Sequence, residues 1–320
     1  MISVIVPHSK GLEMIKACIE SLLNSDYPSK EIIVIDNNST DGSASYLENR
    51  YAGKVQLLRS PVNLYYARAL NLGMKIASGA YIVFLNDDTK VSLTYLSKLV
   101  RFMESDHLVG AAQGLMLNYV LPSRDEYMSR QTDQFRIDGG TGQGRSMGSK
   151  QAREIFFTAG AAMMVRRELF GRIGGFDDQF VLWWEEVDLC WRIWLAGYRC
   201  MLVPDAIVYH KGRATTSKVP RDFSAFHFWK NRLRVVLKYL DFTRLLTVLP
   251  RVIFLWCLAA LNQILRGSTR VAVATLQAIP WNLRHIRETL RWRQYIRVHV
   301  RRVSDSAIYP MSRQHILVIR

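Results

Sequence analysis

The sequence predicts an α/β protein built on a mostly parallel sheet, followed by a basic helical region of different character. Three observations carry this expectation. Short β-branched runs alternate with amphipathic segments through the first two hundred residues. The strand-like runs are continuously apolar, as expected of strands covered on both faces. Beyond residue 218 the pattern changes to long helical stretches rich in arginine.

The elements follow in order. "ISVIVP" (2–7) reads as a first strand, and Leu12, Ile15, Ile19 and Leu22 then recur at helical spacing across 11–24. "EIIVIDN" (31–37) and "VQLLRS" (55–60) are the next strands. A helix is expected from Tyr65 to about Ala77, then the apolar strand "YIVFLND" (81–87). Ligands of such sheets bind at the carboxyl ends of the strands. That places Pro7, Asp36 and Asp87/Asp88 on one edge. The Gly-rich stretch 138–150 lacks the spacing of a phosphate-binding P-loop and is expected to be a mobile loop that could serve as a lid over a site. "FFTAGAAMMVRRELF" (156–170) gives a strand and a short helix, and "GGFDD" (174–178) a turn.

With 320 residues and 49% hydrophobic content, the chain can bury one sizeable core plus an appendage, or two modest domains. A boundary is expected between 1–218 and 219–320. The four cysteines (Cys18, Cys190, Cys200, Cys257) form no CxxC pair, so a reducing compartment fits better than a disulfide framework or a zinc site. The N-terminus runs straight into a strand, and no signal peptide is expected.

The net charge of +16 is unevenly placed. Residues 1–210 hold 22 Lys/Arg against 23 Asp/Glu, whereas residues 211–320 hold 21 against 4. The C-terminal third therefore expects an anionic partner. "DFSAFHFWKNRLRVVLKYL" (222–240) reads as a basic, aromatic amphipathic helix. The uncharged runs 252–265 and 271–283 are too short to span a bilayer, and an arginine ladder from Arg284 to Arg302 follows. Apolar runs flanked by Arg and Trp suggest helices lying in the cytoplasmic face of a membrane. A soluble core helix or a dimer interface is the alternative. Long Leu/Ile/Val runs suit acyl chains better than nucleic-acid phosphates.

Three stretches carry chemistry. "VIDNNSTDGS" (34–43) ends a strand in Asp36, which could accept hydrogen bonds from a ribose or base, or form an Asx-turn before a helix. "VFLNDDT" (83–89) delivers Asn86, Asp87 and Asp88 at a strand end. Adjacent carboxylates suit a hard divalent ion with substrate phosphates; helix capping by Asp88 or Thr89 is the alternative. "WWEEVDLCWR" (183–192) packs three carboxylates between aromatic pairs. A helix start favoured by acidic residues explains part of it, but not the tryptophans. Asp188 and Arg192 are i,i+4 neighbours and read as a structural pair.

Taken in order, "SVIVP", "EIIVIDNNSTDGS", "NLYYARALNLG", "YIVFLNDDT", "WWEEVDLCWR" and "VYH" resemble the family 2 glycosyltransferases over residues 2–215. The resemblance implies a GT-A nucleotide-diphospho-sugar transferase fold, a Rossmann-like mixed sheet. It also implies an activated sugar donor, Mn2+ or Mg2+, and inversion at the anomeric carbon. Carried over by position, Asp36 and Asn38 would contact the nucleotide, with Pro7 and His8 lining its pocket. Asn86 and Asp87 would face the donor, Asp88 and His210 would hold the metal, and Arg68 and Asn71 would help with the diphosphate side. Glu186 would be the catalytic base and Glu185 would hydrogen-bond the acceptor, with Trp183 and Trp184 as its wall. Burial and repulsion would raise the pKa of Glu186. His8-Ser9 and Tyr65 depart from the family pattern, where Asn or Thr and Gly are usual.

The expected activity is sugar transfer from a nucleotide-diphosphate donor to a glycan or polyprenyl-linked acceptor in cell-surface polysaccharide synthesis. A dTDP-rhamnose donor is a sub-expectation. The protein is expected in the cytoplasm, peripheral on the inner face of the plasma membrane, with residues 219–320 on the anionic lipid surface and no nucleic-acid partner. The rival expectations are a nucleotidyltransferase, and a catalytically inactive membrane-bound sugar-nucleotide or glycan-binding protein.

Overall fold

A computed structural model describes residues 1–117, 151–212, 219–304 and 308. The Gly-rich segment 138–150, expected as a lid, lies outside the described residues.

Strands β1 (Ile2–His8), β2 (Lys30–Asn37), β3 (Gln56–Ser60) and β4 (Tyr81–Leu85) pair in parallel in the order β3-β2-β1-β4. Their side chains alternate between two cores. Ile5, Ile33, Ile35, Ile82 and Phe84 enter one, and Val4, Val6, Ile32, Val34 and Val83 the other. Period-2 alternation with both faces apolar is what produces the continuous runs in the sequence. Helix α1 (Leu12–Leu23) covers the second core with Ile15, Cys18, Ile19 and Leu22, which form a single stripe. Helices α2 (Ser43–Arg50), α3 (Tyr65–Met74) and, after the short strand β5 (Thr89–Val91), α4 (Tyr95–Ser105) complete the first half.

Beyond β4 the sheet becomes mixed. Strand β6 (Val109–Leu117) is followed, past the intervening segment, by β7 (Arg153–Glu154), β8 (Ala162–Arg166), the short helix α5 (Arg167–Arg172), helix α6 (Glu185–Leu195) and strand β9 (Arg199–His210). β8 runs antiparallel between β4 and β6, and β9 runs parallel to β6. β9 shifts register against β6, from Gly114↔Val203 to Leu115↔Ile207. A Cβ at Gly114 would collide with the carbonyl oxygen of Ala206, so glycine is required where β9 bulges against β6. The second half of β9 then pairs with β5, placing His210 opposite Thr89.

The C-terminal helices are α7 (Arg221–Tyr239), α8 (Phe242–Leu265), α9 (Thr269–Arg284) and α10 (Ile286–Tyr295), ending in a π-helical turn at Ile296–Val300. The basic helix expected on a membrane surface at 222–240 is instead internal. Lys230, Arg232, Arg234 and Lys238 are all buried. The physical reason is a set of partners no local pattern shows: Arg234 and Lys238 meet the buried Asp177 at 2.8 and 3.1 Å, and Lys230 lies 4.5 Å above the Trp281 ring. A second correction concerns 252–265. Helix α8 continues through Pro250 for 24 residues and is, by length and composition, long and apolar enough to cross a membrane. It buries one stripe (Val248, Val252, Trp256, Ala260) and exposes Leu246, Phe254, Leu258, Leu261 and Leu265.

Candidate active site

The parallel register sets His8 beside Asp36, and the turn after β4 carries Asn86, Asp87 and Asp88 to the same edge. Pro7, His8, Asp36, Asp87 and Asp88 therefore gather at neighbouring strand ends, as the sequence predicts. His8 reaches Asp87 directly, with Nδ1 2.7 Å from Oδ2. Burial pushes the Asp87 carboxyl up, against the opposing effect of His8. Asp36 is buried, and its Oδ1 accepts the Ser39 N–H at 2.9 Å. Both alternatives for Asp36 are thus compatible in one residue: one oxygen closes an Asx-turn while the carboxylate stays at the strand edge. Asn38 is exposed, in the left-handed backbone region at φ 62°.

The β5–β9 pairing brings Nε2 of His210 to 3.1 Å from Oδ1 of Asp88. That Asp88 oxygen is enclosed, and its approach to His210 is not aligned as a hydrogen bond. Two lone-pair donors converging in this way fit a divalent cation: one hard oxygen and one imidazole nitrogen, with diphosphate oxygens and water to complete the shell. Among the described residues no cluster of three or more His, Cys, Asp or Glu is assembled for a metal. Asp88 and His210 alone would leave most of such an ion's coordination to other oxygens.

A second acidic group stands at the N-terminus of α6. Trp183 and Trp184 both adopt left-handed backbone (φ 67° and 73°), a strain of about 1–3 kcal/mol each. Among the described residues only two other non-glycine residues have positive φ, Asn38 and Tyr65, and both sit at this site. The strained pair is held from α7: the Asn231 amide donates to the carbonyls of Leu182 and Trp183, both at 2.8 Å. Nothing in the local sequence around Asn231 announces this role; the only signal is a fully buried amide in a helix.

Two carboxylates follow, each with an enclosed Oε2. Glu185 has a buried Oε2 without a hydrogen-bond partner, and burial pushes its carboxyl up to about 7. The sequence expects such a shift on Glu186; Glu185, which leads the helix, carries one, and Oε2 of Glu186 is enclosed as well. The charges of Glu185 and Glu186 both act on the buried hydroxyl of Tyr66, whose pKa rises through burial first and these carboxylates second. Tyr66 itself donates to the carbonyl of Gly160 and was not singled out by the sequence.

Of the two tryptophans, Trp183 presents an open face at 37% exposure and donates Nε1–H to Ser224 at 3.0 Å. Trp184 is buried against Phe228, so Trp183 is the member of the pair with surface to offer an acceptor. Arg68 and Asn71 are engaged elsewhere than the strand edge. Arg68 donates to the Asp178 carbonyl, and Asn71 donates to the Phe176 carbonyl and Asp178 while accepting the Phe176 N–H. They brace the 176–178 turn. Asp188 and Arg192 form the expected i,i+4 pair at 2.8 Å, fully buried. Arg192 also donates to the carbonyls of Ile173 and Gly175, and Asp188 accepts from Lys238 and Tyr239.

The Glu185 environment has a measurable consequence. A carboxyl raised from its ordinary 4.5 to about 7 binds its proton more tightly in the folded chain. Its contribution is therefore present at low pH and lost as pH rises from about 4.5 through 7. Glu185→Gln should raise stability at pH 8 by about 3 kcal/mol and leave it unchanged at pH 4. Denaturant melts at the two pH values check this; an equal effect at both would contradict the burial argument.

A mixed sheet that gathers carboxylates and a histidine at its strand ends, with an acidic helix start among its later elements, has a GT-A glycosyltransferase fold. The chain belongs to Glycosyl transferase family 2, whose model matches residues 3–174. It is 26% identical over 250 residues to N-acetylglucosaminyl-diphospho-decaprenol L-rhamnosyltransferase of Mycobacterium tuberculosis, covering 70% of this chain and 80% of that protein. In structure it is similar to GalNAc-T7 bound to UDP, GalNAc and Mn2+ (TM-score 0.59, 18% identity, 76% of this chain and 49% of that one). It is also similar to the mannosyltransferase PcManGT of Pyrobaculum calidifontis with GDP-Man and Mn2+ (TM-score 0.57, 18% identity). The latter likeness covers 99% of this chain and 86% of that one, so it takes in the C-terminal helices.

Proposed function

We propose that the protein transfers a sugar, with inversion, from a nucleoside-diphosphate donor to a hydroxyl of a lipid-linked glycan, in cell-surface polysaccharide assembly at the inner face of a membrane. The observation that carries this reading is the Asp88–His210 pair, gathered with Asp87 and Asp36 at the strand ends. Asp36, Asn38 and Pro7 would hold the nucleoside, and Asp88 with His210 would hold Mn2+ or Mg2+. When bound, that cation supplies positive charge for the departing diphosphate.

The remaining steps fall to the chain's own side chains. Glu186 takes the proton of the attacking hydroxyl. Glu185, protonated about half the time near neutral pH, orients that hydroxyl through a hydrogen bond. Trp183 offers its open ring to the acceptor sugar. A lipid-linked acceptor is supported by the decaprenol-linked name of the mycobacterial relative, and an L-rhamnosyl donor is the first to test.

The exposed apolar side of α8, with the exposed Arg251, Arg266 and Arg270, suits a lipid surface carrying anionic headgroups. The buried stripe of the same helix favours lying on that surface over crossing it.

Thermal-shift measurements with dTDP, UDP and GDP sugars, with and without Mn2+, test the core of the reading. One donor should stabilise the protein only with Mn2+, and Asp88→Asn should remove the effect. Failure of every donor would remove the metal-dependent transferase reading.

A further inference from the structure

His8 is placed by its family position in the donor pocket, yet its side chain has no exposed surface and both ring nitrogens are engaged. Nδ1 lies 2.7 Å from Oδ2 of Asp87, and Nε2 lies 2.7 Å from Oγ of Ser43. Such a ring has no atom left for a nucleotide. We propose that His8 is a positioning residue that fixes the Asp87 carboxylate from behind, and that Ser43 and Asp41 hold His8 in turn. The inference rests on the strand-edge donor site proposed above.

The direction of the chain follows from counting protons. Ser43 Oγ donates to Oδ1 of Asp41 at 2.5 Å. Asp41 is an ionised carboxylate: burial alone would raise it, but N–H donation from Gly11 and bonds from Ser43 hold it down at about 2. A serine has one hydroxyl proton. With that proton on Asp41, Oγ can only accept from the ring, so Nε2 is the donor to Ser43. Nδ1 is left to face Asp87, with a proton between them completing the bond.

Asp41 is anchored independently of the ring. Its Oδ2 accepts the Gly11 N–H at 2.6 Å and its Oδ1 the Ser43 N–H at 3.2 Å. Gly11 (φ 112°) and Gly42 (φ 80°) both occupy the left-handed region, which lets the two loops turn their amides toward the aspartate. The loops after β1 and β2 are thus tied to the turn after β4. That turn carries Asp87 and, next to it, Asp88. A buried carboxylate held by one charge-assisted bond keeps a defined orientation, and loss of that bond frees it.

The two amide side chains separate this role from packing. An asparagine at position 8 can place its amide near the Nδ1 position and reach Asp87. A glutamine places its amide near the Nε2 position and reaches Ser43 instead. Wild type, His8→Ala, His8→Asn and His8→Gln are compared for donor KM, acceptor KM, kcat and melting temperature, in the presence of Mn2+. His8→Ala should raise donor KM about tenfold or more with acceptor KM unchanged. His8→Asn should recover most of that loss, and His8→Gln should not.

Equal behaviour of Asn and Gln, or loss of kcat and both KM values in step with melting temperature, would overturn the positioning role in favour of packing. An unchanged donor KM in His8→Ala would overturn it outright. If wild type itself shows no donor-dependent stabilisation or turnover, the transferase reading fails and this inference falls with it. A wild type that uses the donor, beside a His8→Ala that uses it equally well, overturns this inference alone.

Discussion

Glu186→Gln is expected to lower the transfer rate by about 10²- to 10⁴-fold while Mn2+-dependent donor affinity stays nearly unchanged. The substitution keeps the shape and removes only the capacity to take a proton. The donor side of the site is built from β1, β2, the 86–88 turn and His210, none of which depends on the charge of α6. Glu185→Gln should be milder. Glutamine at this position still offers a hydrogen bond to the acceptor hydroxyl, which is the orienting role assigned to Glu185. Single-turnover rates for the two variants, set beside donor thermal shifts, separate the roles. If Glu186→Gln turns over like wild type while Glu185→Gln is dead, the assignments exchange.

The neighbours of the pair explain why so much of this site is legible in sequence, and why part of it is not. β1, β2 and β4 are buried on both faces, so their identity and direction follow from unbroken apolar runs, and their ends must lie together. Asp36, Asp87 and Asp88 are local consequences of that rule. His210 is not. Its approach to Asp88 depends on the register shift of β9 against β6 after Gly114 and on its pairing with β5, and only the family resemblance anticipated the pairing. The choice between Glu185 and Glu186 turns on tertiary surroundings, and adjacent residues in a sequence carry no such information. Trp183 and Trp184 look equivalent in the sequence, but only Trp183 has an open face.

The basic helix at 222–240 departs furthest from the sequence pattern. Charge counting treats every lysine and arginine as solvated, and the excess in the C-terminal third invited a membrane partner. The carboxylates that bury Arg234 and Lys238 belong to the "GGFDD" turn and to α6, about 50 to 60 residues away. Long-range pairing of this kind leaves no periodic trace. The arginines that stay exposed, among them Arg284, Arg287 and Arg291, still carry the basic character of the end of the chain.

Lys238→Met is expected to destabilise the folded protein by about 3–5 kcal/mol, the scale for breaking a buried ion pair by removing one partner. Nζ of Lys238 lies 2.5 Å from Asp188 and 3.1 Å from Asp177, and no part of the three side chains is more than marginally exposed. Asp177 also meets Arg234, and Asp188 also meets Arg192. Two carboxylates against three cations, with the partly exposed Glu288 on Arg234, make a balanced set. Methionine fills nearly the same volume, so the loss measures charge and hydrogen bonding with little packing cost. Burial alone would raise the Asp177 carboxyl, but Lys238 and Arg234 hold it well below the usual carboxylate range. The stability it contributes is therefore present above about pH 4 and is lost as acid takes the carboxyl through its depressed pKa. In Lys238→Met that acid-sensitive part should shrink. Pairing Lys238→Met with Asp177→Asn should cost less than the sum of the two, because each removes the charge the other leaves uncompensated. The surface pair Lys98–Asp205, 3.8 Å apart, is the control, and Lys98→Met should cost at most about 1 kcal/mol. Denaturant melts of all four variants decide the matter. A loss below about 1 kcal/mol for Lys238→Met would mean that α7 is docked by its apolar contacts alone. The expected loss would mean that the ion set joins the C-terminal helices to the helix bearing Glu185 and Glu186, across the boundary the sequence suggests at residue 218.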